Sequence, residues 1–223
     1  MADYPINIPA LWVPAVVKGI KTQHRLPIPL IHPEGRTLAS LMPLPVPYKP
    51  GDRLWVREAH ALCHAYGQDR SDEVRWGPWG GLPMAVAPTL DRVCYYRSAF
   101  DRADPPRWRP STGLPRWASR ATLALTDVRV ERLKDISEAD IFAEGVRRIE
   151  MGPTWADRYA LEPLTPADTL RSRSPSWVMP IAAFGAAWGR IYGTWGPKGW
   201  CANPWVVALT FTLTPHNIDK VTP

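Results

Sequence analysis

Tryptophan and arginine residues between positions 108 and 120 form a pattern that suits nucleic-acid binding. The residues concerned are Trp108, Arg109, Ser111, Arg116, Trp117, Ser119 and Arg120. Arginine pairs with phosphate while tryptophan stacks on an exposed base, and recognition of a single strand or a flipped base requires both contacts. The alternative is a proline-rich loop whose tryptophans cap the core and whose arginines are solvated. Both interpretations stay open.

A second group of polar residues follows shortly after a Pro-Gly-Asp turn at 50–52. Arg57 and Glu58 end a predicted strand, where they form either the polar floor of a ligand cleft or an intramolecular ion pair. His60, Cys63 and His64 are potential metal ligands, but no fourth ligand has the spacing of a zinc site. The sequence therefore predicts neither a metal nor another cofactor.

Hydrophobic periodicity indicates the elements that carry these residues. Strands are predicted at about 53–58, 92–97, 119–133 and 205–213, and helices at 9–18, 137–145 and 180–192. In the last strand the odd-numbered residues from Trp205 to Leu213 are expected to face the core. In the strand at 119–133 the inward positions are Leu123 and Leu125 and then, after a slip in phase, Val128 and Val130.

The order of elements predicts an α+β fold in one domain over residues 1–223. Strands with few helices and no repeated βαβ spacing favour a small mixed β-barrel over a doubly wound sheet. Two segments, at about 62–91 and 150–178, are predicted to be long irregular insertions. The 26 prolines agree with many loops, since proline is excluded from helix interiors and central strands.

Charge and targeting features restrict the partners and the compartment. Lys and Arg total 27 against 21 Asp and Glu, so the formal net charge of +6 suits a polyanionic partner. Three widely spaced cysteines indicate no disulfide framework, which fits a reducing cytosol. The first residues lack the features of a signal peptide, and no apolar stretch is long enough for a membrane span. We expect a cytoplasmic protein without a membrane partner.

Six motifs together resemble the ASCH family, and in particular the long ASCH proteins of phages and prophages. They occur in the family's order and, apart from the two insertions, span most of the chain. The motifs lie at 19–25, 51–58, 108–120, 127–133, 136–145 and 203–206. Each is weakly specific alone, and their shared order carries the resemblance.

The resemblance implies a PUA-like β-barrel with flanking helices and a cleft suited to RNA or a modified base. Some small ASCH proteins remove the acetyl group of N4-acetylcytidine, others are described as ribonucleases, and many have no known activity. In the amidohydrolase-like members the catalytic set is a lysine, a threonine three positions later and a glutamate that ends a later helix. Lys21 and Glu144 match this set, whereas His24 replaces the threonine.

Amide hydrolysis gives each of these residues a possible role. Lys21 would stabilise the developing oxyanion, and Glu144 would hold Lys21 charged or transfer a proton. His24 replaces a hydroxyl nucleophile poorly but would activate water, and Thr22 offers a hydroxyl at a position that the family does not use. The alternative is a structural Lys–Glu salt bridge with a solvated histidine.

The sequence therefore predicts an ASCH-type protein that binds RNA, single-stranded nucleic acid or a modified pyrimidine nucleoside. The first alternative is a hydrolase of N4-acylated cytosine nucleosides or a ribonuclease. A weaker alternative is a phage structural or assembly factor.

Overall fold

The structure is a computed structural model that describes residues 1–31, 42–43, 45–64, 81–101, 107–161 and 176–221. Within these residues the chain is a mixed α+β fold with twelve strands and three α-helices. The strands are β1 (Asp3–Asn7), β2 (Gln23–Pro27), β3 (Leu30–Ile31), β4 (Met42–Pro43), β5 (Arg53–Arg57), β6 (His60–His64), β7 (Met84–Val86), β8 (Arg92–Tyr96), β9 (Thr122–Arg132), β10 (Arg147–Ile149), β11 (Arg158–Ala160) and β12 (Trp205–Thr214). The helices are α1 (Val13–Val17), α2 (Glu138–Ala143) and α3 (Pro180–Tyr192).

The chain divides into two compact units that are each assembled from distant segments. Unit 1 comprises residues 1–19, 51–125 and 212–223, and unit 2 comprises residues 20–50 and 126–211. Neither unit is a contiguous half of the chain. The single domain expected over residues 1–223 stays a prediction.

Unit 1 is built on two groups of strands. Strand β1 runs parallel to β5 and β5 runs antiparallel to the first part of β9, with Leu54 opposite Tyr4 on one side and Leu123 on the other. Leu54 and Leu123 are buried, as befits a strand with a neighbour on each edge. A separate antiparallel sheet has the order β6-β8-β7. This second sheet carries His60 at the start of β6.

Unit 2 pairs β2 with β12 and contains α2 and α3. The pairing is antiparallel, with His24 opposite Leu209. Two short antiparallel pairs, β3 with β4 and β10 with β11, accompany it. Phe184 and Trp188 lie on the buried side of α3, as the helical spacing predicts.

The larger sheet has five strands in the order β1-β5-β9-β12-β2. Its first and last strands, β1 and β2, are not neighbours in that order. Among the described residues the strands therefore form open sheets and no closed barrel. The α+β class is confirmed at this level.

Most predicted elements are present, but α1 is shorter than the helix expected over 9–18. The segment from Pro9 to Trp12 is a turn, closed by the Trp12 amide donating to the Pro9 carbonyl at 2.8 Å. Proline is tolerated only in the first helical turn, so Pro14 rather than Pro9 sets the start of α1.

The two predicted insertions contain more regular structure than their composition indicates. Residues 62–64 belong to β6, residues 84–86 form β7, and residues 158–160 form β11. Each of these short strands pairs with a neighbour, which compensates for a composition rich in Gly, Pro and Trp. The prediction of irregular structure is wrong for these residues, and residues 65–80 and 162–175 lie outside the described part of the chain.

Burial along β9 and β12 differs in part from the predicted alternation. Val130 of β9 is exposed, although its phase predicts an inward position. In β12, Val207, Leu209 and Phe211 are buried as expected, but Val206 and Ala208 on the opposite face are buried too. The middle of β12 is therefore covered on both faces, while Trp205 and Leu213 are only half-buried.

Bilayer-spanning helices are not found in the described residues, because no helix there has both the length and the apolar composition required.

Truncation of Phe211 to alanine tests the assignment of β12 to the core. Phe211 is 2% exposed, so Phe211→Ala should lower the free energy of unfolding by about 3–5 kcal/mol. Chemical denaturation measures this loss, and Thr212→Ala, at the exposed next residue, is the matched control. A loss below about 1 kcal/mol for Phe211→Ala would contradict a core role.

Candidate functional site

Lys21 and Glu144 meet in unit 2 because backbone bonds join the segments that carry them. The Thr22 amide donates to the Ala143 carbonyl at 2.8 Å, and the Phe211 amide donates to the Thr22 carbonyl at 2.9 Å. The Ser137 hydroxyl caps α2 by accepting from the Asp140 amide at 3.1 Å. The start of β2 is thereby held against the end of α2.

The end of α2 places Glu144 where Lys21 can reach it. Gly145 has φ of +99°, a left-handed conformation that glycine adopts without strain, and its amide donates to the Phe142 carbonyl at 2.9 Å. Glu144 is therefore the last residue before the chain turns away. Lys21 Nζ donates to Glu144 Oε2 and, at 3.0 Å, to the Glu144 carbonyl.

The Lys21–Glu144 pair is sealed from solvent. Both side chains are 0% exposed. Burial lowers the pKa of Lys21, while the Glu144 carboxylate acts in the opposite direction. The ammonium is bonded to Glu144 and is not presented at a surface.

Arg25 extends this pair into a buried ion-pair cluster, which comprises Lys21, Gln23, Arg25, Glu131, Asp140 and Glu144. The Arg25 guanidinium donates to Glu144 Oε1 and to Asp140 Oδ2, each at 3.1 Å. It also donates to Glu131 Oε1 at 3.0 Å and to the Gln23 side-chain oxygen. Arg25 therefore joins the cluster's three carboxylates.

Gln23 and Asp140 complete the cluster. The Gln23 amide donates to Asp140 Oδ1 at 3.0 Å and to the Thr210 hydroxyl at 3.1 Å. Burial raises the pKa of Asp140, but hydrogen bonds from Gln23 and Arg129 outweigh it, and the net change is downward. Sequence reasoning missed Arg25 and Gln23. The signal that could have identified them is the placement of polar residues at every second position, Lys21, Gln23 and Arg25, leading into a buried strand.

His24 leaves β2 on the opposite face from Gln23 and Arg25. Successive side chains of a strand alternate, so the face that reaches Glu144 and Asp140 is not the His24 face. His24 is 0% exposed, and its pKa is well below the usual value because of burial and the charges of Lys21 and Arg25. It is therefore neutral at pH 7. Thr22 is exposed and contributes backbone bonds at the start of β2.

The remaining predicted site residues lie in unit 1, where Glu58 pairs with Arg120. Arg120 Nε and Nη2 donate to the two carboxylate oxygens of Glu58 at 2.7 and 3.0 Å. The Ser98 hydroxyl donates to Glu58 at 2.6 Å. The Arg120 guanidinium lies 4.2 Å from the centre of the Tyr96 ring. Two roles are predicted for Glu58, the polar floor of a cleft or an intramolecular ion pair, and in the structure Glu58 forms an ion pair with Arg120.

Arg57 ends β5, and Arg109 pairs with His60 at the start of β6. Arg57 donates to the Thr112 carbonyl at 3.3 Å and lies 5.6 Å from the centre of the Trp55 ring. Arg109 is exposed, and its backbone pairs with that of His60 through bonds of 2.7 and 3.2 Å. Burial, followed by the charge of Arg109, lowers the pKa of His60, opposed by its hydrogen bond to the Glu58 carbonyl.

Arg116 and Ser119 are engaged in structural contacts. Arg116 pairs with Asp3 at 2.6 Å and with Asp219 at 2.8 Å, and these bonds raise its pKa. The Ser119 hydroxyl is buried and donates to the Val56 carbonyl at 3.0 Å. Arg116 is therefore paired with two carboxylates, and Ser119 with a backbone carbonyl.

The tryptophans of the predicted loop pack on the core. Trp108 is half-buried against the cluster that contains Tyr95 and makes an edge contact with Phe100 at 5.3 Å between ring centres. Trp117 packs on the cluster that contains Leu114, and Ser111 begins a short 3₁₀ turn. This agrees with the packing interpretation for both tryptophans.

A cleft of about 430 Å³ opens on the outer face of α3 in unit 2. Its lining was not predicted from sequence and consists of Ala182, Gly185, Ala186, Gly189, Arg190, Thr194 and Trp200. Trp200 packs so closely on Gly185 that a Cβ there would lie 2.8 Å from the ring, and Lys134 lies 5.5 Å from the ring centre. Trp200 therefore lines the cleft while it contacts Gly185 and Lys134.

Metal binding finds no support in the described ranges, where no group of three His, Cys, Asp or Glu side chains is arranged to hold an ion.

Comparison with known proteins identified no relative: no family model, curated protein or solved structure matches the chain. The ASCH resemblance rests on the six motifs and stays a prediction.

Removal of one charge from the buried cluster should destabilise the fold strongly. Glu144→Gln leaves Lys21 buried without its carboxylate, so we expect a loss of about 3–5 kcal/mol in the free energy of unfolding. Glu138→Gln, at an exposed position of α2, is the control. The double variant Lys21→Met/Glu144→Leu should recover most of the loss, because apolar residues of similar volume need no partner. Equal losses for Glu144→Gln and Glu138→Gln would contradict a structural role.

Acid should destabilise the fold through His24. The pKa of His24 in the folded state lies below the unfolded value of about 6.5. The stability that the neutral side chain contributes is therefore fully present above pH 6.5 and is lost as the pH falls towards the folded pKa. Between pH 6.5 and 5 we expect a loss of up to about 1.4 kcal/mol per pH unit from this one proton. Urea unfolding across this range measures it; His24→Gln should reduce the slope, and the exposed His216→Gln should not. An unchanged slope in His24→Gln would refute the assignment.

Proposed function

We propose that this chain is an ASCH-type protein that binds RNA, single-stranded nucleic acid or a modified pyrimidine nucleoside, without hydrolysing it. The observation that carries the proposal is the contact between Lys21 and Glu144. These two residues are 123 positions apart in sequence, and both occupy positions of the family's catalytic set. Their meeting supports kinship, and kinship implies the PUA-like barrel and the ligand class. The cytoplasmic location is proposed from the cysteine usage and the first residues of the sequence.

The state of the pair favours binding over catalysis. An oxyanion-stabilising lysine must present its ammonium to the reacting carbonyl. Lys21 instead donates to Glu144 and is fully buried. The hydroxyl nucleophile of the family is replaced by His24, which lies on the other face of β2. A buried pair of this kind holds β2 against α2 and leaves no ammonium available for turnover.

The hydrolase alternative has one observation in its favour. Burial lowers the pKa of Lys21, and a lysine with a lowered pKa is more readily available for proton transfer. For hydrolysis, ligand binding would have to separate Lys21 from Glu144. An amidohydrolase acting on N4-acylated cytosine or a ribonuclease would both require this opening.

A panel of modified nucleosides separates binding from turnover. The protein is incubated with cytidine, N4-acetylcytidine and other modified pyrimidine nucleosides, and mass spectrometry measures both the retained ligand and any product. We expect retention of at least one modified nucleoside with no product. A short oligouridylate tests single-stranded RNA in parallel.

Substitution of His24 provides the decisive variant. His24→Thr restores the hydroxyl that the family uses, but residue 24 lies on the opposite face of β2 from Gln23 and Arg25. It should therefore gain turnover of N4-acetylcytidine only if ligand binding both opens the Lys21–Glu144 pair and brings this hydroxyl to the same ligand. His24→Thr/Lys21→Met is the matched control and should have none. Hydrolysis by the wild-type protein that is lost in His24→Ala would overturn the proposal in favour of an enzyme. Absence of binding to every nucleoside and to the oligouridylate would refute the ligand class.

A further inference from the structure

Three side chains lie in a row on one face of unit 1, where β6 begins. His60 is directly opposite Tyr96 of β8. On the other edge of β6, the backbone of His60 forms an antiparallel bridge with that of Arg109. Directly opposite residues in antiparallel pairs project from the same face. The backbones of paired strands are about 4.8 Å apart, so the backbones of Arg109 and Tyr96 lie at about that distance on either side of the His60 backbone. Arg120 lies over Tyr96 at the end of this row.

Arg57 approaches the row from the end of β5. Its guanidinium donates to the Thr112 carbonyl at 3.3 Å. The next residue, Gly113, borders the His60 ring, because a Cβ built on it would lie 3.8 Å from His60 Cε1. Arg57 and His60 therefore border the same turn, which begins just after Arg109. We call Arg57, His60, Arg109 and Arg120 the arginine site.

The charges of the arginine site are not balanced. Among the described residues, Glu58 is the carboxylate that bonds a member of the arginine site, and Arg120 and Ser98 both donate to it. Arg57, Arg109 and Arg120 together with Glu58 sum to a net charge of +2 among these described groups. The excess belongs to Arg57 and Arg109, since Arg120 is the partner of Glu58.

Two buried polar atoms at this site have no partner among the described residues. They are Arg57 Nε and His60 Nε2. The His60 side chain is 0% exposed. Its Nδ1 lies 3.2 Å from the Glu58 carbonyl, which only accepts, so Nδ1 carries the proton and Nε2 is left with its lone pair. Buried polar atoms are nearly always hydrogen-bonded, so two such atoms beside uncompensated cations point to a missing ligand.

Phosphate is the ligand chemistry that fits these groups. A guanidinium binds phosphate oxygens with two parallel N–H donors, and Arg57 is already oriented by Trp55 and Thr112. Arg109 is exposed and adds the second charge. A phosphate beside His60 would also favour protonation of Nε2, which would then donate instead of remaining unpaired.

We propose that the arginine site binds a phosphate group of the ligand, with Arg57 and Arg109 as the direct contacts and His60 next to them. The identification of that group as a nucleic-acid phosphodiester rests on the proposed function. Phosphate binding itself does not. Arg116, by contrast, is removed from the set of phosphate contacts by Asp3 and Asp219.

Single substitutions in the full chain test the site. Arg57→Gln and Arg109→Gln should each weaken binding of a short oligouridylate roughly tenfold. Each should also flatten the dependence of log affinity on log salt by about 0.7, the value for one phosphate contact on a single strand. The control is Arg92→Gln, because Arg92 is an exposed arginine at the other end of β8. Fluorescence anisotropy across a salt series measures both quantities.

A second probe, inorganic pyrophosphate, separates this proposal from the proposed function. Followed by NMR, it should shift the His60 ring signals in the wild-type protein and much less in Arg57→Gln/Arg109→Gln. If the oligonucleotide does not bind but pyrophosphate does, the phosphate site stands and the nucleic-acid function fails. If the oligonucleotide binds equally to wild type, Arg57→Gln and Arg109→Gln, the site is wrong and the function stands. If neither probe binds, the site is overturned.

Discussion

The need to satisfy buried charge is the constraint on which unit 2 depends. Lys21, Arg25 and Glu144 are each 0% exposed, and an unpaired ion in such surroundings would cost several kcal/mol. Arg25 meets this requirement by bonding three carboxylates, and Lys21 by bonding Glu144. Because these partners come from β2, β9 and α2, a separate movement of any one of these elements would expose a buried charge or remove its ion-pair partner.

The same physics gives the arginines of unit 1 two different roles. Arg116 and Arg120 are neutralised by carboxylates and hold segments of the unit together. Arg57 and Arg109 have no such carboxylate described beside them, and these are the two arginines that we propose bind an external phosphate. A surplus of positive charge over the whole chain therefore says little about where a polyanion binds. The pairing of individual arginines decides it.

Sequence reasoning succeeded where one physical signal dominates. The capping serine and the glycine after α2 located that helix and Glu144 at its end, and alternation located β12. It failed where pairing with a neighbour outweighs composition. Strand β7 lies in a segment rich in Gly, Pro and Trp and forms because β8 offers an edge. Val130 follows the apolar period of β9 but is exposed. Periodicity does not indicate how far along a strand other elements pack against it.

The sequence alone determined the α+β class, the main helices and strands, and the likeness of Lys21 and Glu144 to a catalytic pair. These features follow from local backbone preferences and side-chain patterns, which neighbouring residues carry. Only the tertiary structure decided that the pair is closed, that Arg25 belongs with it, and that Glu58 bonds Arg120. Such outcomes depend on which charges meet across long separations in the chain, and on whether water reaches them. No local pattern encodes that information.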